Sequence, residues 1–152
     1  MPTDCISYQE SGYFSMLIND YLNEKPELKA LYHRFPNLES FKLQLVEKGN
    51  NFSDGGGVNG KFKREILVSV LEKQYESISI SKETKQNIHN LIHSNTFTIT
   101  TGHQLNLFTG PLYFLYKIIS TINLCKELKT EYPEHNFVPI YWMATEDHDF
   151  EE

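Results

Sequence analysis

With 152 residues, 39% of them hydrophobic and 13% aromatic, the chain has material for one globular domain with a modest core, which argues against global disorder. Fourteen Lys and Arg stand against twenty Asp and Glu, a formal charge of −6, and the basic residues are scattered, so a nucleic-acid backbone is not the expected partner. No N-terminal leader pattern and no run near the roughly 20 apolar residues of a bilayer crossing occur, and Cys5 and Cys125 form no Cys-x-x-Cys pair; the expectation is a cytoplasmic protein without membrane partner or disulfide framework.

The first 95 residues read as a helical region that packs on the remainder. Tyr13, Phe14, Leu17, Ile18, Tyr21 and Leu22 have the i, i+3, i+4 spacing of an amphipathic helix over 13–22. Pro26 suits the first turn of a second helical segment. Asn37 is placed to cap a third helix with Leu38, Phe41 and Leu45 as its buried stripe, and Gly49 to close it in a left-handed conformation.

The loop 50–60 contains Gly55-Gly-Gly-Val-Asn-Gly60-Lys61, close to the phosphate-cradling pattern G-x-x-x-x-G-K-[S/T]. Phe62 stands where a metal-ligating hydroxyl is needed, and the segment before it is a charged helix where a buried strand should deliver the loop. A connector is the better reading. A fourth helix over 62–75 would bury Phe62, Ile66 and Val70 with Leu67, Leu71 and Tyr75. Ser81 offers an N-cap to a fifth, with Ile88, Leu91 and Ile92 inward; His89 and His93 are four apart, but without a third ligand nearby they read as a solvated face.

From Phe97 the pattern changes. Phe97-Thr-Ile-Thr-Thr101 is short and β-branched, a strand that Gly102 would end. Pro111 fits the start of a long helix whose expected buried face is Leu112, Leu115, Ile118, Ile119, Ile122 and Cys125, which makes Cys125 a core residue. The run 137–144 is apolar on both faces, as a strand between helical layers should be, although Pro139 removes one ladder hydrogen bond. Strand, crossover helix and strand make a βαβ unit over 96–152, right-handed by the general rule. In such sheets ligands bind outside the carboxyl ends of the strands. One end here carries Gly102-His103-Gln104, the other Glu146-Asp147-His148-Asp149.

Four ionisable residues directly after an apolar strand admit three readings. They form a solvated loop in which Asp147 or Asp149 caps a helix; or a site where His148 exchanges protons while carboxylates orient it; or a metal site, in which adjacent residues pointing to opposite sides let only some of the four reach one ion.

The combination Thr101-Gly102-His103-Gln104, Leu107, Gly110-Pro111-Leu112-Tyr113, Lys117, Trp142 and Glu146-Asp147-His148-Asp149-Phe150-Glu151 resembles the N-terminal part of the bacillithiol biosynthesis cysteine-adding enzymes, the BshC cysteine ligases. The resemblance implies an α/β fold: a partial Rossmann-like, nucleotidylyltransferase-like core, represented by its first βαβ unit and preceded by the helical region, with a coiled coil later in the chain. It implies a ligase that joins the carboxyl group of cysteine to the amine of glucosaminyl-malate. Because amide formation from a free carboxylate in water is uphill, it also implies ATP or another nucleotide as activator, with Mg²⁺ as its companion.

Under this resemblance His103, Asp147 and His148 are the catalytic candidates, and Gly102, Gln104, Gly110, Glu146 and Asp149 the substrate-binding ones. Gly102, Gln104 and the backbone leading to Pro111 would hold an anionic group; His103 would stabilise charge during acyl transfer; Lys117 would orient toward its neighbours. Relatives are several times longer, so the chain reads as an N-terminal fragment, inactive alone, with a sheet edge that favours association or a homo-oligomer. Two other readings stay open: a metal-dependent hydrolase using the Glu146 to Asp149 cluster with His103, and a non-catalytic helical interaction module.

Overall fold

The computed structural model describes residues 4–53 (50–53 as backbone), 63–104, 106, 108 and 110–145. They fall into two compact units, Met1–Leu43 and Gln44–Glu152. The change from helix to strand comes at Thr96, beside the 95/96 division read from the sequence, whereas compactness divides the chain inside a helix.

In the first unit, α1 (Tyr8–Ser11) is held by a reciprocal cap. Ser7 Oγ accepts the Glu10 N–H at 3.2 Å, and the Glu10 carboxylate accepts the Ser7 N–H at 3.1 Å. The Ser7 N–H and the Ser7 hydroxyl, both donating to it, hold the Glu10 carboxyl below its ordinary pKa. Gly12 closes the turn at φ 67°. Ser15 Oγ then accepts the Ile18 N–H, so α2 spans Met16–Leu22, three residues shorter at its start than the apolar spacing predicts. Phe14, left outside it, packs edge-on against Tyr8 at 4.5 Å. Pro26–Leu31 is a 3-10 helix with Pro at its first position, after which Tyr32 and Phe35 close on Tyr21 with ring centroids 5.2 and 5.3 Å away.

Asn37 caps the next helix as expected, its Oδ1 accepting the Ser40 N–H at 2.8 Å. That helix, α3 (Leu38–Ser53), does not stop at Gly49; it passes through the glycine, because one Gly costs a helix only about 1 kcal/mol.

In the second unit, α4 (Arg64–Tyr75) and α5 (Lys82–Asn90) form a helical layer. Ser81 Oγ caps α5 by accepting the Thr84 N–H at 3.1 Å. The core between this layer and the sheet is Val68, Ile88, Leu91 and Val138, ringed by Leu67, Leu71, Ile80 and Ile140. On α4 the buried row therefore runs through Val68, while the predicted Ile66 and Val70 are exposed, as is Ile92 beyond the end of α5. Phe62 lies outside the described residues, as does the glycine-rich stretch 55–61.

Strand β1 (Thr96–His103) pairs in parallel with β2 (Asn136–Met143) across the crossover helix α6 (Leu112–Glu131), from Thr96 opposite Asn136 to His103 opposite Met143. Val138 and Ile140 face the α4–α5 layer, and the alternate residues face the other way. There Tyr141 meets Phe114 of α6 with centroids 5.5 Å apart, so helices cover both faces of β2. This explains why Phe137 and Val138, adjacent in sequence, are both buried.

The inward row of α6 is Phe114, Ile118, Thr121, Cys125 and Leu128; of the predicted face Ile118 and Cys125 belong to it, whereas Leu112, Leu115, Ile119 and Ile122 are exposed. Two apolar stripes compete on this helix, and the sheet takes the one containing Thr121, whose hydroxyl is satisfied by the Lys117 carbonyl at 2.8 Å. Leu128 is fully buried, a contribution of about 1.5–3 kcal/mol. Cys125 is core, as expected, and burial pushes its thiol up to about 11. Among the described residues, no helix is long and apolar enough to cross a membrane.

Candidate active site at the strand ends

Gly102 does not end β1. The strand runs on through His103, and glycine is required at 102 for another reason: a Cβ there would lie 2.9 Å from the Trp142 carbonyl oxygen and 3.0 Å from Trp142 Cβ. The missing side chain lets the two strand ends close tightly.

His103 is half-buried at this end. Nε2 is 2.6 Å from the Tyr113 hydroxyl, and Nδ1 is 3.1 Å from both the Gln104 carbonyl oxygen and Asn106 Nδ2. Asn106 also donates to the Gln104 carbonyl at 3.0 Å. Phe114 meets the ring edge-on at 6.2 Å. The His103 backbone carbonyl accepts the Tyr141 hydroxyl at 2.9 Å and the Ala144 N–H at 3.3 Å, which fixes the residue from the β2 side.

Gly110 adopts φ 63°, and a Cβ on it would meet Asn106 Cβ at 2.6 Å. Two demands thus fall on one residue: a left-handed turn into α6, and room for the asparagine beneath His103. Pro111 follows as the N-cap of α6, with no side chain bonding the helix start. Nearly two turns on, Lys117 donates to the Gly102 carbonyl at 3.3 Å and sits 5.5 Å from the Tyr113 ring centroid, so it turns toward its neighbours as expected.

Of the predicted site residues, Gly102, His103, Gln104 and Gly110 therefore converge, with Gln104 contributing its backbone carbonyl. Glu146, Asp147, His148 and Asp149 lie outside the described residues. Tyr113, Asn106 and Tyr141 carry no role in the sequence reading. Among the described residues, no group of three or more His, Cys, Asp and Glu gathers as a metal set; the His89 and His93 rings pack edge-to-face at 6.1 Å.

The whole chain, residues 1–152, matches the family model described as "Bacillithiol biosynthesis BshC, N-terminal Rossmann-like domain". Proteins named "Putative cysteine ligase BshC" align with all 152 residues: 68% identical in Flavobacterium psychrophilum, 67% in Flavobacterium johnsoniae and 60% in Christiangramia forsetii. The chain spans 28% of the length of the first of these relatives and 27% of the other two. The two-stranded parallel sheet with helices on both faces of β2 agrees with a partial Rossmann-like core. The chain belongs to the BshC family of bacillithiol biosynthesis, matching its N-terminal Rossmann-like domain.

Proposed function

We propose that this domain supplies one wall of the active site of a cysteine ligase, which joins the carboxyl group of cysteine to the amine of glucosaminyl-malate. The observation that carries this reading is the family match along the entire chain to relatives whose name states cysteine ligation. The geometry supports it, because parallel strands deliver polar groups to one crevice at their carboxyl ends, where α/β sheets hold ligands.

A free carboxylate does not acylate an amine in water, so the acid is activated by ATP or another nucleotide with Mg²⁺. One feature supports a phosphate here: the start of α6 has no side-chain cap. When bound, the nucleotide supplies the leaving group. The protein's residues hold and orient the reactants. His103, Asp147 and His148 act on the reacting groups, while Gly102, Gln104, Gly110, Glu146 and Asp149 hold substrate. Two strand ends do not enclose a ligand, so the 152-residue chain alone should show little turnover.

The test is mass-spectrometric detection of the cysteinyl amide with a full-length protein bearing this sequence, given cysteine, glucosaminyl-malate, Mg²⁺ and ATP. A Asp147→Ala, His148→Ala double variant with unchanged circular dichroism is run beside it. Product from the parent and none from the variant is the expected result. No product from the parent under any nucleotide condition would refute the proposal.

A further inference from the structure

The geometry points to Tyr113 as a further catalytic residue: its hydroxyl relays a proton from the attacking amine to His103. This rests on the ligase reading above and assigns the acceptor-side chemistry of the same site.

The relay begins with the tautomer. The Gln104 carbonyl is a pure acceptor 3.1 Å from His103 Nδ1, and the relay assigns the proton to Nδ1 and leaves Nε2 bare. Asn106 Nδ2, 3.1 Å from the same nitrogen, donates one of its two hydrogens to that carbonyl, and the relay requires that the second does not occupy Nδ1. The Tyr113 hydroxyl, 2.6 Å away, then donates to Nε2. A tyrosine whose proton is directed inward presents its oxygen lone pairs outward. Tyr113 is 49% exposed at the strand-end crevice, whereas His103 is half-buried behind it, so the tyrosine oxygen is the atom of the pair that a ligand meets.

An amine is the ligand that such an acceptor fits. Its N–H donates to Tyr113 Oη. When the amine nitrogen bonds to the activated cysteinyl carbonyl, its proton passes to Oη, the Tyr113 proton passes to Nε2, and the nucleotide-derived leaving group departs with its electron pair. His103 ends as an imidazolium whose Nδ1–H still faces the Gln104 carbonyl. Lys117, 5.5 Å from the Tyr113 ring centroid and tied to the Gly102 carbonyl, limits the motion of the tyrosine.

The experiment uses the full-length protein in two arms. In the first, ¹⁵N-histidine labelling and long-range ¹H–¹⁵N correlation read which His103 nitrogen carries the proton, with His103→Gln identifying the signal. The expected result is Nδ1–H in the parent, retained in Tyr113→Phe because the Gln104 carbonyl still holds it; Nε2–H in the parent, donated to Tyr113, overturns the relay. In the second, Tyr113→Phe should lower kcat about 100-fold, within the range for one proton-transfer group, with KM for cysteine within about twofold. The Tyr113→Phe, His103→Gln double variant should be no worse than the poorer single within about threefold, because both act in one step. An active parent with an unimpaired Tyr113→Phe variant sinks the relay alone. A parent that makes no amide sinks the ligase reading, and with it the amine as the ligand.

Discussion

The hydroxyl of Tyr141 donates to the backbone carbonyl of His103 at 2.9 Å, a bond from the side chain of one strand to the main chain of the next. It positions the histidine through its backbone, leaving the ring free for other partners. Tyr141→Phe keeps the packing on Phe114 and removes only this bond. The expected cost is about 0.5–1.5 kcal/mol, measured by urea unfolding followed through the chain's single Trp, together with lower kcat in the full-length protein. Unchanged stability and rate would show that the Ala144 N–H suffices to hold the same carbonyl.

Arg64 fastens the helical layer to the strand. Its Nη1 donates to the Leu91 carbonyl at 3.0 Å and to the Thr96 carbonyl at 3.3 Å, two acceptors where α5 gives way to β1. Arg64→Met retains much of the aliphatic stem but leaves both carbonyls without this donor. Charged hydrogen bonds of this kind contribute about 1.5–3 kcal/mol, so a loss in that range is expected in urea unfolding. Amide exchange should rise in the turn before Thr96, and equal exchange in both proteins would contradict the fastening role.

Gly102→Ala and Gly110→Ala should both destabilise, for different reasons. At 102 the new methyl meets the Trp142 carbonyl, part of the backbone of β2, so the strand ends must part; overpacking of this sort costs about 1–3 kcal/mol. At 110 the methyl adds left-handed strain to a collision with Asn106 Cβ, which no rotamer change moves. Asn106→Gly should therefore relieve part of the defect of Gly110→Ala and none of that of Gly102→Ala. Equal relief of both would overturn the distinction.

Cys125 gives a pH prediction. Burial raises its pKa in the folded chain from 9.0 to about 11, so the native state holds this proton more tightly than the unfolded state does. The associated stability is complete below pH 9.0 and is lost as pH climbs toward 11. A Cys125→Ala variant should lack that alkaline decline. In native alkylation mapped by peptide mass, exposed Cys5 should label first and Cys125 only on unfolding; simultaneous labelling would contradict its burial.

The strands, the caps at Asn37 and Ser81, and the crossover helix were legible because each rests on local chemistry: β-branching, a side-chain acceptor before a helix, a proline at a helix start. The buried rows of α4 and α6 were not. Each helix carries more apolar residues than one stripe holds, and the choice between stripes is made by the sheet. Thr121 is buried where Ile122 is exposed because a threonine can return its hydroxyl to the preceding turn. At the site, His103 and the two glycines were legible by residue type. Tyr113 was not, since its role depends on a contact across ten residues that exists only once α6 has folded back along β1.

The flush register of β1 and β2, eight residues each, makes the crevice intolerant of length change. One residue inserted into either strand would raise its lip by about 3.3 Å and turn every later side chain to the opposite face. In β1 this would point His103 to the side of Val138 and Ile140, away from Tyr113. Divergence in this domain is thus expected to accumulate as substitutions within the strands and as insertions outside them, in loops that leave both lips level.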